Sequence, residues 1–480
     1  MTNRDAEEFL TTFVKELNEN NTAVFVGAGL SKGAGYVDWP GLMAPIALGI
    51  GLDATKEVDL VALAQFHLNA NAGNRSGLSQ LLIEKFSDLR DPTENHRVLA
   101  RLPIQTYWTT NYDRLIEKSL EDGGKRVDAK YTNEQLALTR RGRDAVVYKM
   151  HGDIEHPDQA VLSKDDYERY HETHAPFITA LSGDLVGKTF LFLGFSFTDP
   201  NLDFILSRIR VRFTIHQHRH YCIMRRRKQL AGESGADFDY ALTKQALATQ
   251  DLLRFNIKTI FVDEFAEITG LLAAIEKRFR RQTVLISGSA ADYGAWTRER
   301  TEEFVAAFAR ALIEKDLRIS SGFGLGIGGA VVAGAVQQIY SGRQRSVGEQ
   351  LVLRPFPIGI KDEAQRQATF ARYREDLVVQ AGIAVFIMGN RDVGGSIVNA
   401  DGMRAEFEAA RKNGLYVVPV GASGSMALEL WKEVVGQIKT YFPDNEEAVR
   451  PLLEAIGDTS GDPEAILAPL LELIGLLSRE

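Results

Sequence analysis

The chain has 480 residues, 45% hydrophobic and 25% charged, with a formal net charge of -8 and a single cysteine, Cys222. At about 100–200 residues per domain this is enough for two to four domains of ordinary globular composition. One cysteine excludes an intrachain disulfide framework and any four-cysteine zinc site, and the acidic balance argues against nucleic acid as a main partner.

The N-terminal stretch MTNRDAEEFLTTFVKELNEN is mixed in charge and has no apolar core of the kind a signal peptide needs. Phe9, Phe13 and Leu17 recur at helical spacing, which predicts an opening helix. TAVFVGAG then reads as a buried strand running into glycine. Further apolar runs follow as IQTYWTT, AVVYKM, TFLFLGFSF, RHYCIM and IKTIFV, with helical patterns such as YDRLIEKSL and NLDFILSRIR between them. Strands alternating with helices predict a mainly parallel sheet flanked by helices. RIRVRFTIHQHRHY and MRRRK are read as a solvated face or a subunit contact, and DFDYALTKQAL as an ordinary helix.

After IEKRFRRQ the alternation starts again with TVLISGSA, LRIS, LVLRPFP, IAVFIMGN and LYVVPVGASG, and closes on an amphipathic PEAILAPLLELIGLLSRE. The fold class expected is therefore α/β, with two Rossmann-like domains at 1–281 and 282–480 and no repeat between them. The uncharged run Ile319–Gly342 holds seven glycines, so it is read as strand, loop and helix rather than a membrane span. The cytoplasm is the expected location.

Ligands in doubly wound sheets bind beyond the C-terminal strand ends, and the chemistry-bearing residues of the first domain gather there. Gly27, Ala28, Gly29 and Ser31 follow the first strand in GAGLS, where a tight turn and exposed amides suit a pyrophosphate. The third glycine, Gly33, is one residue late for the dinucleotide-binding pattern. Asn111 and Asp113 follow YWTT, His151 follows YKM, and Gly194 and Ser196 follow FLFL. In the second domain Gly288 and Ser289, and Gly322 and Gly324, sit in turns that suit phosphate or ribose.

The order GAG-x-S, T-x-N-x-D, M-H-G and G-x-S resembles the sirtuin family over residues 10–280. That resemblance implies cleavage of the nicotinamide–ribose bond of NAD, used as substrate and without a catalytic metal. It implies that His151 acts on the ribose hydroxyls, that Asn111 holds ribose and water, and that Asp113 lies near the nicotinamide amide. Gly27, Ala28, Gly29 and Ser31 would meet phosphates, with Ser196 on the adenosine side. GYVDW keeps an aspartate, Asp38, of the family's pocket segment but lacks its arginine. Deacylating sirtuins carry a four-cysteine zinc module, so water rather than acyl-lysine is the expected acceptor. Residues 282–480 resemble the SLOG nucleotide-sensing domains. The pairing looks like the Thoeris anti-phage effector NADases. That resemblance implies activation by a cyclic ADP-ribose isomer made by a TIR-domain partner, with Arg374, Arg391 and Glu406 in the activator site, and a homotetramer or larger assembly. An NAD-dependent deacylase and a non-catalytic nucleotide sensor are the two alternative readings.

Overall fold

The computed structural model describes residues 3–57, 59–212, 218–342, 346–357, 359–458 and 462–479. The chain divides into two compact units, residues 1–276 and 277–480.

The first unit opens with the helix Asn3–Asn18 and is built on seven strands: β1 (Thr22–Val26), β2 (Thr106–Thr109), β3 (Val127–Lys130), β4 (Ala145–Lys149), β5 (Thr189–Leu193), β6 (His220–Arg225) and β7 (Ile257–Val262). They lie in the order β3-β4-β2-β1-β5-β6-β7. Every pairing is parallel. A parallel sheet covered on both faces needs continuous apolar strands, and β1 and β5 are buried at every residue. Phe25, Trp108, Phe190 and Phe192 pack with Phe177, Leu181 and Ile205 of the flanking helices. The long connection from β1 to β2 folds into a helical cap, including Trp39–Gly49, Leu60–Ala70 and Ser76–Phe86, with its own core of Leu42, Met43, Leu63, Leu78 and Phe86. The chain leaves β1 toward β2 on one side and later returns to β5 on the other. The C-terminal ends of β1 and β5 therefore form the crevice at which such sheets bind ligands.

The second unit contains β8 (Thr283–Ser289), β9 (Arg318–Ser321), β10 (Leu351–Leu353), β11 (Ile383–Met388), β12 (Asn390–Val393), β13 (Ser396–Asn399) and β14 (Tyr416–Pro419). Five of these form a parallel sheet in the order β10-β9-β8-β11-β14, while β12 and β13 make a separate antiparallel hairpin. Here the crossover point lies between β8 and β11. The fold class read from the sequence holds in both units.

The glycine-rich run from Ile319 resolves into β9, a loop and the helix Gly328–Ser341. Among the described residues no helix is long and apolar enough to cross a membrane. Of the basic stretch Arg208–Tyr221, residues 213–217 lie outside the described residues. DFDYALTKQAL lies within the helix Gly235–Leu252, of which only Leu252 is buried.

Two buried histidines make the fold acid-sensitive. The amide of Thr93 donates to His96 Nδ1 at 3.2 Å, and that of Phe190 donates to His220 Nδ1 at 3.1 Å. Each ring is held neutral as an acceptor, and burial pulls its pKa from 6.5 to about 4 for His96 and about 3 for His220. Both folded values are depressed, so below pH 6.5 the unfolded chain binds protons that the native chain refuses. Stability is then lost as pH falls from about 6.5 toward 4 and 3, by up to about 1.4 kcal/mol per pH unit for each proton. Thermal unfolding between pH 7 and 5 should show a falling midpoint; a flat profile over that range would contradict this.

Candidate active site

The glycines after β1 and β5 are needed first by each other. The Gly27 amide donates to Leu193 O at 2.9 Å and the Gly29 amide to Gly194 O at 2.9 Å, so the two strand-end turns pack backbone against backbone. A Cβ on Gly27 would lie 2.5 Å from Gly194 O. Gly194 has φ +63°, and a Cβ there would lie 2.3 Å from Leu30 N. Larger residues would push the turns apart and spoil the floor of the crevice.

Above this floor is a cavity of about 660 Å3, a size that suits a small-molecule ligand. Ala28, Gly29, Ser31, Asn111, Asp113, His151, Gly194 and Ser196 all line it, so the structure gathers these sequence-predicted residues at one place. Gly27 stands behind them in the turn and does not line the cavity. Asp38 lines it too, while its Oδ1 caps the helix Trp39–Gly49 by accepting from the Gly41 amide at 3.1 Å and its Oδ2 pairs with Lys32 at 2.6 Å.

Asn111 is fixed at both ends. Its backbone amide donates to Thr109 Oγ1 at 2.9 Å, and Nδ2 donates to Ser31 Oγ at 2.9 Å. The Thr109 hydroxyl in turn donates to Val26 O at 2.9 Å, which ties the ends of β2 and β1 together. His151 is buried, and its Nε2 lies 3.4 Å from Asp199 Oδ2 without the alignment of a hydrogen bond. Burial lowers its pKa, with Asp199 and Asp166 opposing, so the ring is neutral near pH 7. The result is a neutral nitrogen in the cavity wall with no hydrogen-bond partner among the described residues, a condition that buried polar groups in native proteins seldom meet without cause. Burial raises the pKa of the Asp113 carboxyl, with Lys149, the Leu115 amide and Ser31 opposing.

Four features of the site are not evident from its motifs. Asp199 accepts from the amides of Asn201 at 2.9 Å and Leu202 at 3.0 Å through Oδ1, capping the helix Pro200–Arg212, and turns Oδ2 to His151. The sequence signal is TDPN, an acidic cap before a helix-starting proline. Tyr167 closes over His151 edge-on at 5.3 Å between ring centroids. Lys149 is fully buried, paired with Glu117 Oε1 at 3.0 Å and Asp153 Oδ2 at 2.5 Å, and its Nζ donates to the carbonyls of Tyr112 and Asp113. It thereby fastens the Asn111–Asp113 loop to the strand that carries His151. Arg225, Arg226 and Arg227 line the cavity at the end of β6, so part of MRRRK, read as a solvated face or a subunit contact, faces the candidate site.

In the second unit the β8 turn and the loop after β9 also pack backbone to backbone. The Ala290 amide donates to Leu325 O at 2.8 Å, and a Cβ on Gly324 would lie 1.9 Å from Gly288 O. A Cβ on Gly322 would lie 3.2 Å from the Phe356 ring, and the Arg374 guanidinium stands 5.4 Å from the centre of that ring. Arg374 Nε is buried without a hydrogen-bond partner among the described residues. Glu406 Oε2 accepts from Ser287 Oγ at 2.6 Å; burial raises its pKa, while Ser287 and Arg374 oppose. Ser289 Oγ donates to Asn390 O at 3.1 Å. Arg391 pairs with Asp401 at 2.6 Å on the hairpin side, one residue before Gly402, whose Cβ would meet the Arg374 guanidinium at 3.5 Å. Asn390 is the organising residue that the sequence does not announce. Its Oδ1 accepts from the amides of Ala291 and Asp292, and its Nδ2 donates to Asp292 O and Ser425 Oγ. Among the described residues no group of three or more His, Cys, Asp or Glu could hold a metal ion.

Residues 105–246 match the SIR2-like domain family, and residues 267–476 match the Sir2- and TIR-associating SLOG family. The chain is 48% identical over 472 residues to the NAD(+) hydrolase ThsA of Bacillus cereus (strain MSX-D12), covering 98% of each chain. It is 46% identical to the NAD(+) hydrolase ThsA of Acinetobacter baumannii (strain 532279), covering 97% of each. A defense-associated sirtuin 2 of Bacillus subtilis is 25% identical over 211 residues, 41% of this chain and 20% of that protein. The two-domain order and the near full-length identity agree with the motifs read from the sequence. The chain belongs to the ThsA family of NAD(+) hydrolases, the Thoeris effectors, with a SIR2-like domain followed by a SLOG domain.

Proposed function

We propose that the chain hydrolyses NAD in the β1–β5 cavity of its SIR2-like domain, and that its SLOG domain releases this activity on binding a cyclic ADP-ribose isomer. The observation that carries the first part is the neutral, unpartnered His151 Nε2 in the cavity wall beside Asn111 and Ser31. In the reaction the nicotinamide–C1′ bond breaks, the electron pair leaves with neutral nicotinamide, and the ribose passes through an oxocarbenium-like state. Water then forms the new C1′–O bond and gives up a proton. His151 accepts a proton from a ribose hydroxyl or from that water, and Asn111 fixes ribose and water in line. Asp113 sits at the nicotinamide amide. The Ala28 amide and Ser31 face the pyrophosphate, which the bare Gly29 lets come close to the turn, and Ser196 faces the adenosine. Nicotinamide release from NAD without any acyl-peptide tests this reading; release that depends on an acyl-peptide would replace it with deacylation.

The second part is supported by the free Arg374 Nε beside Glu406 and the paired glycine turns. The activator is a cyclic ADP-ribose-type nucleotide from a TIR-domain partner, in keeping with the family match of the SLOG domain. Its phosphates lie at Gly288, Ser289, Gly322 and Gly324, and Arg374, Arg391 and Glu406 hold the rest. The outcome is NAD depletion in the cytoplasm of an infected cell by a homo-oligomeric enzyme. Arg374→Ala should weaken activator binding roughly 10- to 150-fold, the range of a lost charged hydrogen bond, and shift the activation curve by the same factor. Calorimetry beside an NAD assay reads both, and unchanged binding would remove Arg374 from the site.

A further inference from the structure

The cavity wall takes its arginines from one place, the end of β6. Its acidic lining residues are Asp38, Asp113 and Asp199, whereas the β6 end contributes Arg225, Arg226, Arg227, Gln245 and Phe265 and no carboxylate. Arg226 is paired with Asp263 at 3.2 Å, and Arg227 with Glu233. The Arg225 guanidinium has no anionic partner among the described residues; it lies 4.4 Å from the centre of the Phe265 ring, which orients it as a flat cation in the wall.

The sheet measures where a dinucleotide reaches. Neighbouring strands are about 4.8 Å apart, so β2, which carries Asn111, is about 14 Å from β6, and β4, which carries His151, is about 19 Å away. With the reacting ribose at Asn111 and His151 and the pyrophosphate over the β1 and β5 turns, the second ribose and its base lie toward β6. Sites that select an unmodified ribose place a carboxylate against its hydroxyls, whereas an arginine accommodates a 2′-phosphate.

We propose that the cavity also accepts the 2′-phosphorylated dinucleotide NADP and hydrolyses it to nicotinamide and 2′-phospho-ADP-ribose, with Arg225 as the residue that sets this specificity. The bond changes are those of the NAD reaction: C1′–N breaks with its electron pair leaving on nicotinamide, C1′–O forms from water, and one proton is released. This inference rests on the NAD-hydrolase reading of the same cavity.

The test uses the full-length chain. Calorimetry compares 2′-phospho-ADP-ribose with ADP-ribose in low and high salt, in wild type and in Arg225→Gln. The 2′-phosphate should tighten binding about tenfold or more at low salt, and Arg225→Gln should erase that preference. A preparation that releases nicotinamide from NAD should also release it from NADP, with 2′-phospho-ADP-ribose as the co-product. NAD cleavage without NADP cleavage, or a phosphate preference that survives Arg225→Gln, overturns the inference and leaves the NAD reading standing. Failure to cleave either dinucleotide under every activating condition overturns both.

Discussion

His151→Ala is expected to lower nicotinamide release about 10²–10⁴-fold, the range of a lost general acid–base group, while leaving the fold intact. The ring's Nε2 makes no hydrogen bond that its removal would break, so the cost to stability is that of its packing against Tyr167 and Tyr170 alone. Asn111→Ala should fall in the same range, because Nδ2 anchored on Ser31 Oγ sets where the ribose and water stand. The low pKa of His151 also places the acid limb of the rate profile below pH 6.5, since the ring stays neutral as pH falls through its ordinary value. Circular dichroism and steady-state rates check the claim together. Wild-type turnover by folded His151→Ala would dismiss the assignment.

Lys149→Met should produce the largest loss of stability of any single change near the site. It strands the Glu117 and Asp153 carboxylates, both buried, and takes away the donor to Tyr112 O and Asp113 O. Breaking a buried charge pair costs about 3–5 kcal/mol. At roughly 2–4 °C per kcal/mol for a domain of this size, the melting midpoint should drop about 6–20 °C. The combined change Lys149→Met, Glu117→Gln and Asp153→Asn removes the stranded charges and should recover most of the midpoint. Activity should stay low, because the Asn111–Asp113 loop remains unfastened. If activity returned with stability, Lys149 would matter to the fold alone.

Most of the scaffold was legible because its strands are buried on both faces and read as unbroken apolar runs, as TAVFV and TFLFL show. Among the strands, β3 and the β12–β13 hairpin are missing from that reading. β3, VDAK, hides its polarity by pairing Lys130 with Asp128 at 2.7 Å and Asp128 with Arg143 at 3.0 Å, an arrangement that no local pattern announces. The β12–β13 hairpin lay within reach, since Gly394 and Gly395 both take positive φ in its turn and a Gly-Gly pair is a known hairpin signal. In the candidate site, the residues that follow strand ends were legible because the parallel fold gathers those ends. Asp199, Lys149 and Arg225 were not, for each acquires its role from partners far away in sequence: Asp199 from His151, Lys149 from Glu117 and the Tyr112 carbonyl, and Arg225 from Phe265. The glycines of GAGLS held a further surprise. Their pattern suits a phosphate, and the structure shows that Gly27 and Gly29 are first required by the Gly194 turn packed against them.

A hydrolytic cavity and a nucleotide-sensing domain share one chain, and one measurement addresses both. Nicotinamide release from NAD by the full-length chain is followed continuously, alone and with each of a panel of cyclic ADP-ribose isomers. A resting enzyme held at about 1% active population and driven to about 99% rises roughly 100-fold, which asks the ligand to prefer the active arrangement by about 5.5 kcal/mol. Near silence without ligand and a rise of that order with one isomer are expected. A constant rate that no isomer changes, or a rate that appears only with an acyl-peptide, would contradict it.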